Sequence, residues 1–547
     1  MSWTRRGRSG GRKQEPVLNH RRRTSRALAR AAFFAAPALF ALTPSLAAAQ
    51  NMRDVPLGGR TATMGGAGTA FGNDSAMPYL NPAGLAGLPL DVFALSANIY
   101  ASSKRTIPGV IHPKGFGFAN QPGSESVSSS DLFQLPGSVM YLFNFNAPTD
   151  KVRIVAAMSL IIPSIEQSQT TGNYAVKLPN IAGGLSEAVS VSSSSTDYYI
   201  GPSFAAQLGK RIRVGMSLYA LHTVSRLSYQ RSLFYFESNG AATAEAKDLY
   251  TETHDGYSFV PIAGVQVNPF SHLWLGAGVA APSVRMKGVR NISYDFQYQS
   301  VGGGYHATAV QSSDSQSERP LRVNVGVGWD KPGSFAVAGD IHWYAKRVDA
   351  IGYQGVANFT EQKTGDILRQ YGKATRDTTD LKSILNISVG AEVWVLDMAS
   401  VRGGVFTNFA NATFDDNPTT AKPLSSTRDR YGATLGIGVL MGSFDSTIGG
   451  LYQRGKGQMV VSDYTSGAAI DVQGKNAITD FTENTFMFIF SGVVTAQDAK
   501  KNMGPQLDVD VKVKAPAMPE TPKPPDTPAV PDSPSAPPAA TPPGGGS

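Results

Sequence analysis

The chain of 547 residues contains no cysteine. Disulfide frameworks, thiolate metal sites and thiol catalysis are therefore excluded. Long apolar runs are also missing after residue 50. With 41% hydrophobic residues and a mean hydropathy of −0.14, a bundle of membrane helices is excluded. A membrane barrel is not, because only every second residue of its strands faces lipid. Histidine is scarce: seven residues, at positions 20, 112, 222, 254, 272, 306 and 342, none at metal-ligand spacing. No serine-hydrolase elbow occurs. Neither an enzyme nor a cofactor or metal is expected.

The net charge of +8 would suggest a nucleic-acid partner if it were spread over the chain. Residues 1–50 carry ten Lys or Arg and one acidic residue, Glu15, so they account for +9 and leave −1 for the rest. A phosphate-binding surface thereby loses its main support, and no nucleic-acid partner is expected. The same segment reads as a secretory signal. The basic stretch Arg21–Arg30 precedes the apolar run Ala31–Leu42, and Ala47-Ala48-Ala49 offers a cleavage site before Gln50. Residues 1–49 are thus expected to be a signal peptide with an extended basic n-region. The alternative, a membrane anchor, is disfavoured by the short run with Pro37 and Pro44.

What fills the body is short-range alternation. In Leu321–Asp330, Leu, Val, Val, Val and Trp share one face, and Arg, Asn, Gly, Gly and Asp the other. Phe335–Tyr344, Tyr431–Val439, Tyr198–Leu208 and Arg211–Ala220 behave alike. About 14 such segments lie between residues 90 and 495, near 90–102, 137–146, 151–163, 196–208, 211–227, 256–268, 272–286, 319–330, 334–346, 382–395, 398–409, 429–441, 444–455 and 484–495. Even-to-odd connections are tight turns such as Gly209-Lys210, Lys331-Pro332-Gly333 and Gly442-Ser443, whereas odd-to-even gaps are long and polar. Short turns on one side and long loops on the other mark an outer-membrane barrel. The expected fold class is all-β: a transmembrane antiparallel β-barrel of about 14 strands (90–495) in the cell outer membrane. An even strand count puts both termini on the periplasmic side. Tyr198, Trp329, Trp343 and Tyr431 fit aromatic girdles at strand ends. Residues 496–547 hold 13 of the 35 prolines and read as a disordered periplasmic tail.

Residues 50–89 precede the first strand and are rich in Gly and Ala. Gly65, Gly66 and Gly68 let backbone approach backbone closely. Asp74 or Ser75 can cap a short helical turn, Asn81-Pro82 supplies an N-cap followed by Pro at N1, and Gly87 can end that turn. Two compact turns of small residues suit a plug inside a barrel mouth. A phosphate-cradling loop is the alternative, but neither G-x-G-x-x-G spacing nor a P-loop Lys is present.

This stretch resembles the N-terminal plug of the FadL-type outer-membrane transporters of long-chain fatty acids and hydrocarbons. The matching residues are Met64-Gly65-Gly66-Ala67-Gly68, Asn73-Asp74-Ser75-Ala76 and Asn81-Pro82-Ala83-Gly84-Leu85. The resemblance implies a 14-stranded barrel with the plug in its lumen and passive uptake of a hydrophobic ligand, a fatty acid or hydrocarbon. It assigns gating to Met64, Gly65, Gly66, Gly68, Asp74, Asn81, Pro82, Ala83 and Gly84. Outer-membrane lipids and the barrel assembly machinery are the other implied partners. Inward charges at Arg213, Arg322 and Arg402 are candidate ligands for a carboxylate, against the alternative that they pair with Asp330, Asp340 or Glu392. Ala156, Ala157 and Pro163 mark a place where strand pairing weakens toward a lateral exit. Departures exist: Asn73 stands where the family often has an acid, and about 50 residues follow the last strand. The rival reading is a FadL-like barrel serving protein secretion or surface attachment without solute transport. A general porin is disfavoured by the plug.

Overall fold

A computed structural model describes residues 51, 55–88, 91–107, 127–145, 152–177, 183–237, 242–300, 303–363, 366–415, 426–466 and 469–495. The expected signal peptide and Pro-rich tail lie outside these residues. No helix among them is long and apolar enough to cross a membrane.

Nineteen strand segments form one antiparallel sheet. They are β1 (Val92–Ile107), β2 (Val127–Asn144), β3 (Val152–Ile161), β4 (Ile165–Lys177), β5 (Gly183–Leu208), β6 (Ile212–Glu237), β7 (Ala242–Phe270), β8 (Leu273–Ala280), β9 (Val284–Ser300) and β10 (Gly303–Ser317). They continue as β11 (Arg322–Lys331), β12 (Phe335–Tyr344), β13 (Arg347–Lys363), β14 (Asp366–Leu381), β15 (Ile384–Leu396), β16 (Ala399–Asn408), β17 (Ser426–Met441), β18 (Phe444–Ser466) and β19 (Ala469–Thr495). Five consecutive pairs, β3/β4, β8/β9, β10/β11, β12/β13 and β14/β15, are halves of single wall strands: across a short break both halves lie against the same neighbouring wall strand on at least one side. Nineteen segments therefore make fourteen wall strands. The first pairs with the last, Val92 opposite Thr495 and Thr106 opposite Thr482, and the barrel is closed. Closure leaves no edge inside a bilayer, where an unpaired N–H or C=O would cost several kcal/mol.

The segments expected from alternation correspond one to one to the turn-side parts of these strands. There the outward residues are apolar and exposed, for example Val325, Val327 and Trp329 on β11 and Val337, Ile341 and Trp343 on β12. Phe335 and Trp329 lie near the turn, Trp343 near the other end. The eight steps from Phe335 to Trp343, at about 3.3 Å each, cover about 26 Å along the strand, close to the height of an apolar barrel band.

One expectation needs correction. Most of the long polar gaps are not loops but continued strand hairpins. β5, β6 and β7 run for 26, 26 and 29 residues, and β9 and β10 pair until Ser300 faces Gly303. Alternation is present there too, but Ser, Thr, Gln and Tyr carry it. Leu227, Tyr250, Tyr294, Phe296, Tyr305 and Phe359 turn inward and pack into an apolar cluster beyond the membrane band. The breaks Ile162–Ser164, Ala281–Ser283 and Glu318–Leu321 separate the two regimes.

Candidate functional site: the plugged lumen

The segment 55–88 folds inside the barrel and is almost wholly buried. It contains α1 (Arg60–Thr63), α2 (Met77–Leu80) and a 3-10 turn, Pro82–Gly87. Gly65 and Gly66 occupy the left-handed region, with φ of 69° and 86°, which a side chain would strain. Asn81 is the N-cap of the 3-10 turn, its side chain accepting from the Ala83 N–H at 3.3 Å, with Pro82 at the first helical position. Asp74 does not cap the turn that follows it, since α2 has no side-chain cap. Its carboxylate instead accepts from the N–H groups of Gly59 (3.1 Å), Thr61 (2.8 Å) and Ala76 (3.1 Å). It thus caps α1 from thirteen residues away and ties the two halves of the plug together.

The wall accommodates this domain by presenting glycine. A Cβ at Gly276 would lie 2.1 Å from the Thr69 carbonyl, one at Gly264 2.0 Å from Asn81 Oδ1, and one at Gly390 2.2 Å from the Met64 carbonyl. Gly404 meets Met64 and Gly65, Gly215 meets Pro82 and Ala83, and Gly328 meets Phe71 in the same way. Sequence reasoning did not use this ring, yet its signal is readable: Leu275-Gly-Ala-Gly278, Val325-Gly-Val-Gly328 and Leu435-Gly-Ile-Gly438 put glycine at two successive inward positions of a strand.

Between the glycines, polar wall groups satisfy the plug's backbone, as burial demands. Asp340 accepts from the Gly68 and Thr69 N–H groups, both at 2.8 Å. Thr434 Oγ1 accepts from Gly65 N–H at 2.9 Å and donates to the Thr63 carbonyl at 2.8 Å. Asn81 Nδ2 donates to the carbonyls of Thr69 and Val265, and Ser217 to that of Pro78. The Ser138 and Ser75 hydroxyls meet at 2.7 Å.

Each of the three inward arginines has a protein partner. Arg402 donates from Nε to Glu392 at 2.6 Å and from Nη1 to Thr447 at 2.7 Å. Arg322 donates to the Tyr79 carbonyl at 2.5 Å and lies 3.8 Å from the centre of that tyrosine ring. Arg213 lies 4.3 Å from the Trp274 ring centre, bonds Gln266, and covers Gly87 of the plug.

Above the plug lies a crevice of about 20 Å³ lined by Tyr79, Tyr199, Val260, Ile262, Arg322 and Tyr344 among others. That is room for about one water molecule. Over it lies a layer of cross-lumen ion pairs. Arg319 binds Asp197, with Nε at 2.9 Å. Arg428 reaches both Glu166 (2.7 Å) and Glu483 (3.0 Å), and Glu483 also takes Arg105 and Arg430. Asn51 sits in the lumen as well, donating to the Asn408 carbonyl at 2.8 Å, whereas Thr495 ends β19 on the turn side. A larger concavity of about 420 Å³ lies on the outward face of the hairpins, lined by Glu245, Lys247, Gln297, Gln299 and His306. It is polar and outside the lumen.

At the outer edge of the membrane band the wall has a seam. β2 and β3 pair from Asn144/Val155 to Ser138/Ile161, where Ala156 and Ala157 are in ordinary register, and Ile162 N–H still reaches the Gly137 carbonyl at 2.9 Å. Past Pro163, β4 pairs only with β5, and the rest of β2 only with β1. Among the described residues no ladder joins β2 to β4. Beyond the membrane band, burial pushes the Tyr250 and Tyr294 phenols well above their ordinary range, and neighbouring carboxylates add to it. Both stay protonated and donate, to Glu252 (2.6 Å) and Asp248 (3.1 Å).

No family model and no curated protein matches the chain. Solved structures do. A FadL homologue from Pseudomonas aeruginosa shares 14% identity over 81% of this chain and 99% of its own, with a TM-score of 0.50. The toluene transporter TbuX of Ralstonia pickettii gives 0.48 at 12% identity, over 80% of this chain and 98% of its own. The toluene transporter TodX of P. putida gives 0.48 at 14%, over 80% and 98%.

Proposed function

We propose that this chain, a barrel of the FadL-type fold, admits hydrophobic solutes through the outer membrane by passive diffusion. The solutes are long-chain fatty acids or related hydrocarbons. The Pseudomonas FadL homologue supplies the fold. The observation that carries the reading belongs to this molecule: a folded plug, residues 55–88, fills the lumen of the membrane band and is almost wholly buried there. A lumen held by a stopper suits a solute that prefers apolar surroundings to a water-filled pore. Burial contributes about 0.8 kcal/mol per CH₂, so an acyl chain needs few polar contacts. The short-turn side is periplasmic and the hairpins face outward. The solute descends past the ion-pair layer, a shift of Met64–Gly68 and Asn81–Gly84 widens the lumen, and the solute passes the plug. Arg322, at the crevice, is the inward arginine placed to meet a carboxylate.

The chain's lack of cysteine gives a direct test. Ser75 in the plug and Ser138 on β2 are hydrogen-bonded, close enough for a disulfide. The S75C/S138C variant, oxidised, is expected to lose at least ten-fold in uptake of labelled oleate or toluene by cells, and to recover on reduction. Full uptake with the plug cross-linked to the wall would overturn the gating reading. The rival reading, a secretion or surface-attachment factor, expects no uptake by the parent chain at all.

A further inference from the structure

The described plug carries only two charged side chains, Arg60 and Asp74. Asp74 is consumed inside the plug by three N–H groups. Arg60 is therefore its one charged link to the wall. Its Nε donates to Glu392 Oε2 at 2.8 Å, and its Nη2 lies 2.7 Å from the same oxygen and 3.0 Å from Asp330 Oδ1. The guanidinium also lies 5.0 Å from the centre of the Phe71 ring, which belongs to the plug.

Glu392 divides its two oxygens. Oε2 faces Arg60 of the plug. Oε1 faces the wall, accepting from Arg402 Nε at 2.6 Å and from Ser400 Oγ at 2.9 Å. Breaking a buried ion pair by removing one partner is usually strongly destabilising, because it leaves a charge uncompensated. Here that cost is averted. If Arg60 withdraws, Glu392 keeps Arg402 and Ser400, and Arg60 keeps its place against Phe71. Asp330 is partly open to water. Neither half of the contact is orphaned.

We infer that Arg60 is the latch of the plug, a releasable ion pair to Glu392 and Asp330, and that Arg402 is the resident counter-ion that lets it open without collapse of the wall. The inference rests on the plug being the moving stopper, but its test needs no solute. Wall carboxylates outnumber wall cations at this spot: once Arg60 has left, the three carboxylates Asp330, Glu392 and nearby Asp445 face two cations, Arg402 and Arg213. The same surplus draws Arg60 back.

The experiment reads plug movement directly. Thr69 is fully buried and its hydroxyl has no hydrogen-bond partner, so T69C is a mild replacement in a chain without cysteine. The purified full chain in detergent is treated with a water-soluble maleimide. R60Q is expected to speed labelling of T69C at least ten-fold, and E392Q to do the same. R402Q is expected to leave the rate at or below that of T69C alone, since Arg60 is then the one cation bound to Glu392. Raising salt from 0.1 to 1 M accelerates T69C but not R60Q/T69C. Retained heat-modifiable migration shows that each variant is still a folded barrel. If R60Q leaves the rate unchanged, or if R402Q accelerates it as much as R60Q, the latch is refuted. A cross-linked plug that still transports would refute the gating reading while leaving this measurement untouched.

Discussion

The membrane band and the hairpins beyond it are built from the same strands with the same period of two, yet their polarity is inverted. On β11 the inward residues are Arg322, Asn324, Gly326 and Gly328, and the outward ones Val325, Val327 and Trp329. On β9 the inward residues are Ile292, Tyr294, Phe296 and Tyr298, while Asn291, Ser293, Asp295 and Gln297 face out. The first pattern fits a wall between lipid and a polar interior, the second a wall between water and an apolar one. The change of sign along a continuous strand locates the edge of the bilayer without reference to any lipid. It also shows that the hairpins have a core of their own, in which Arg231 pairs with Asp248 and Arg290 with Glu252 among the tyrosines.

Substitutions can break this comparison. An arginine on the outward face should be costly in one region and nearly free in the other. V325R is expected to destabilise the folded barrel by about 2–4 kcal/mol, and S293R by less than about 0.5 kcal/mol; urea midpoints in lipid vesicles check both. Equal effects would mean that the polarity inversion does not mark the membrane edge. A smaller effect should appear with acid. His254 faces the inside of the hairpin region, where burial, with Arg290 and Arg319 adding, holds its imidazole down to about 4. The folded form therefore binds fewer protons than the unfolded form between pH 6.5 and about 4. Stability is complete above pH 6.5 and falls as pH drops through that window. Protease resistance of the hairpins should decline from pH 7 to pH 5, and H254N should flatten the decline. The smallest effect tests the inner tyrosines. Y294F removes the hydrogen bond to Asp248 and should cost about 1 kcal/mol, with no change in the urea midpoint of the membrane band.

The membrane band was legible because lipid enforces a strict code. Val323, Val325, Val327 and Trp329 alternate with small or polar residues, so the strand could be read from the chain alone. The hairpins were not, because Ser190–Ser195 and Gln311–Ser315 alternate nothing that a hydropathy scale distinguishes; their inward Tyr and Ala become visible only once paired. Within the plug, Asn81-Pro82 and Gly65-Gly66 declared their roles through local backbone preferences. Arg60 declared nothing, since its meaning lies in Glu392, 332 positions away. Arg402, Arg322 and Arg213 were identified as inward from their strand parity. Which partners they chose depended on register and on where the plug came to rest.

The interruptions at Ile162–Ser164, Ala281–Ser283, Glu318–Leu321, Ala345–Lys346 and Lys382–Ser383 fall at one height around the wall. They form a natural dividing line, as between a socket and its fitting. Five wall strands break at this line, whereas β5, β6 and β7 run through it unbroken and tie socket to fitting. A wall so jointed can reshape the fitting at the five breaks while the strands of the socket keep their own register.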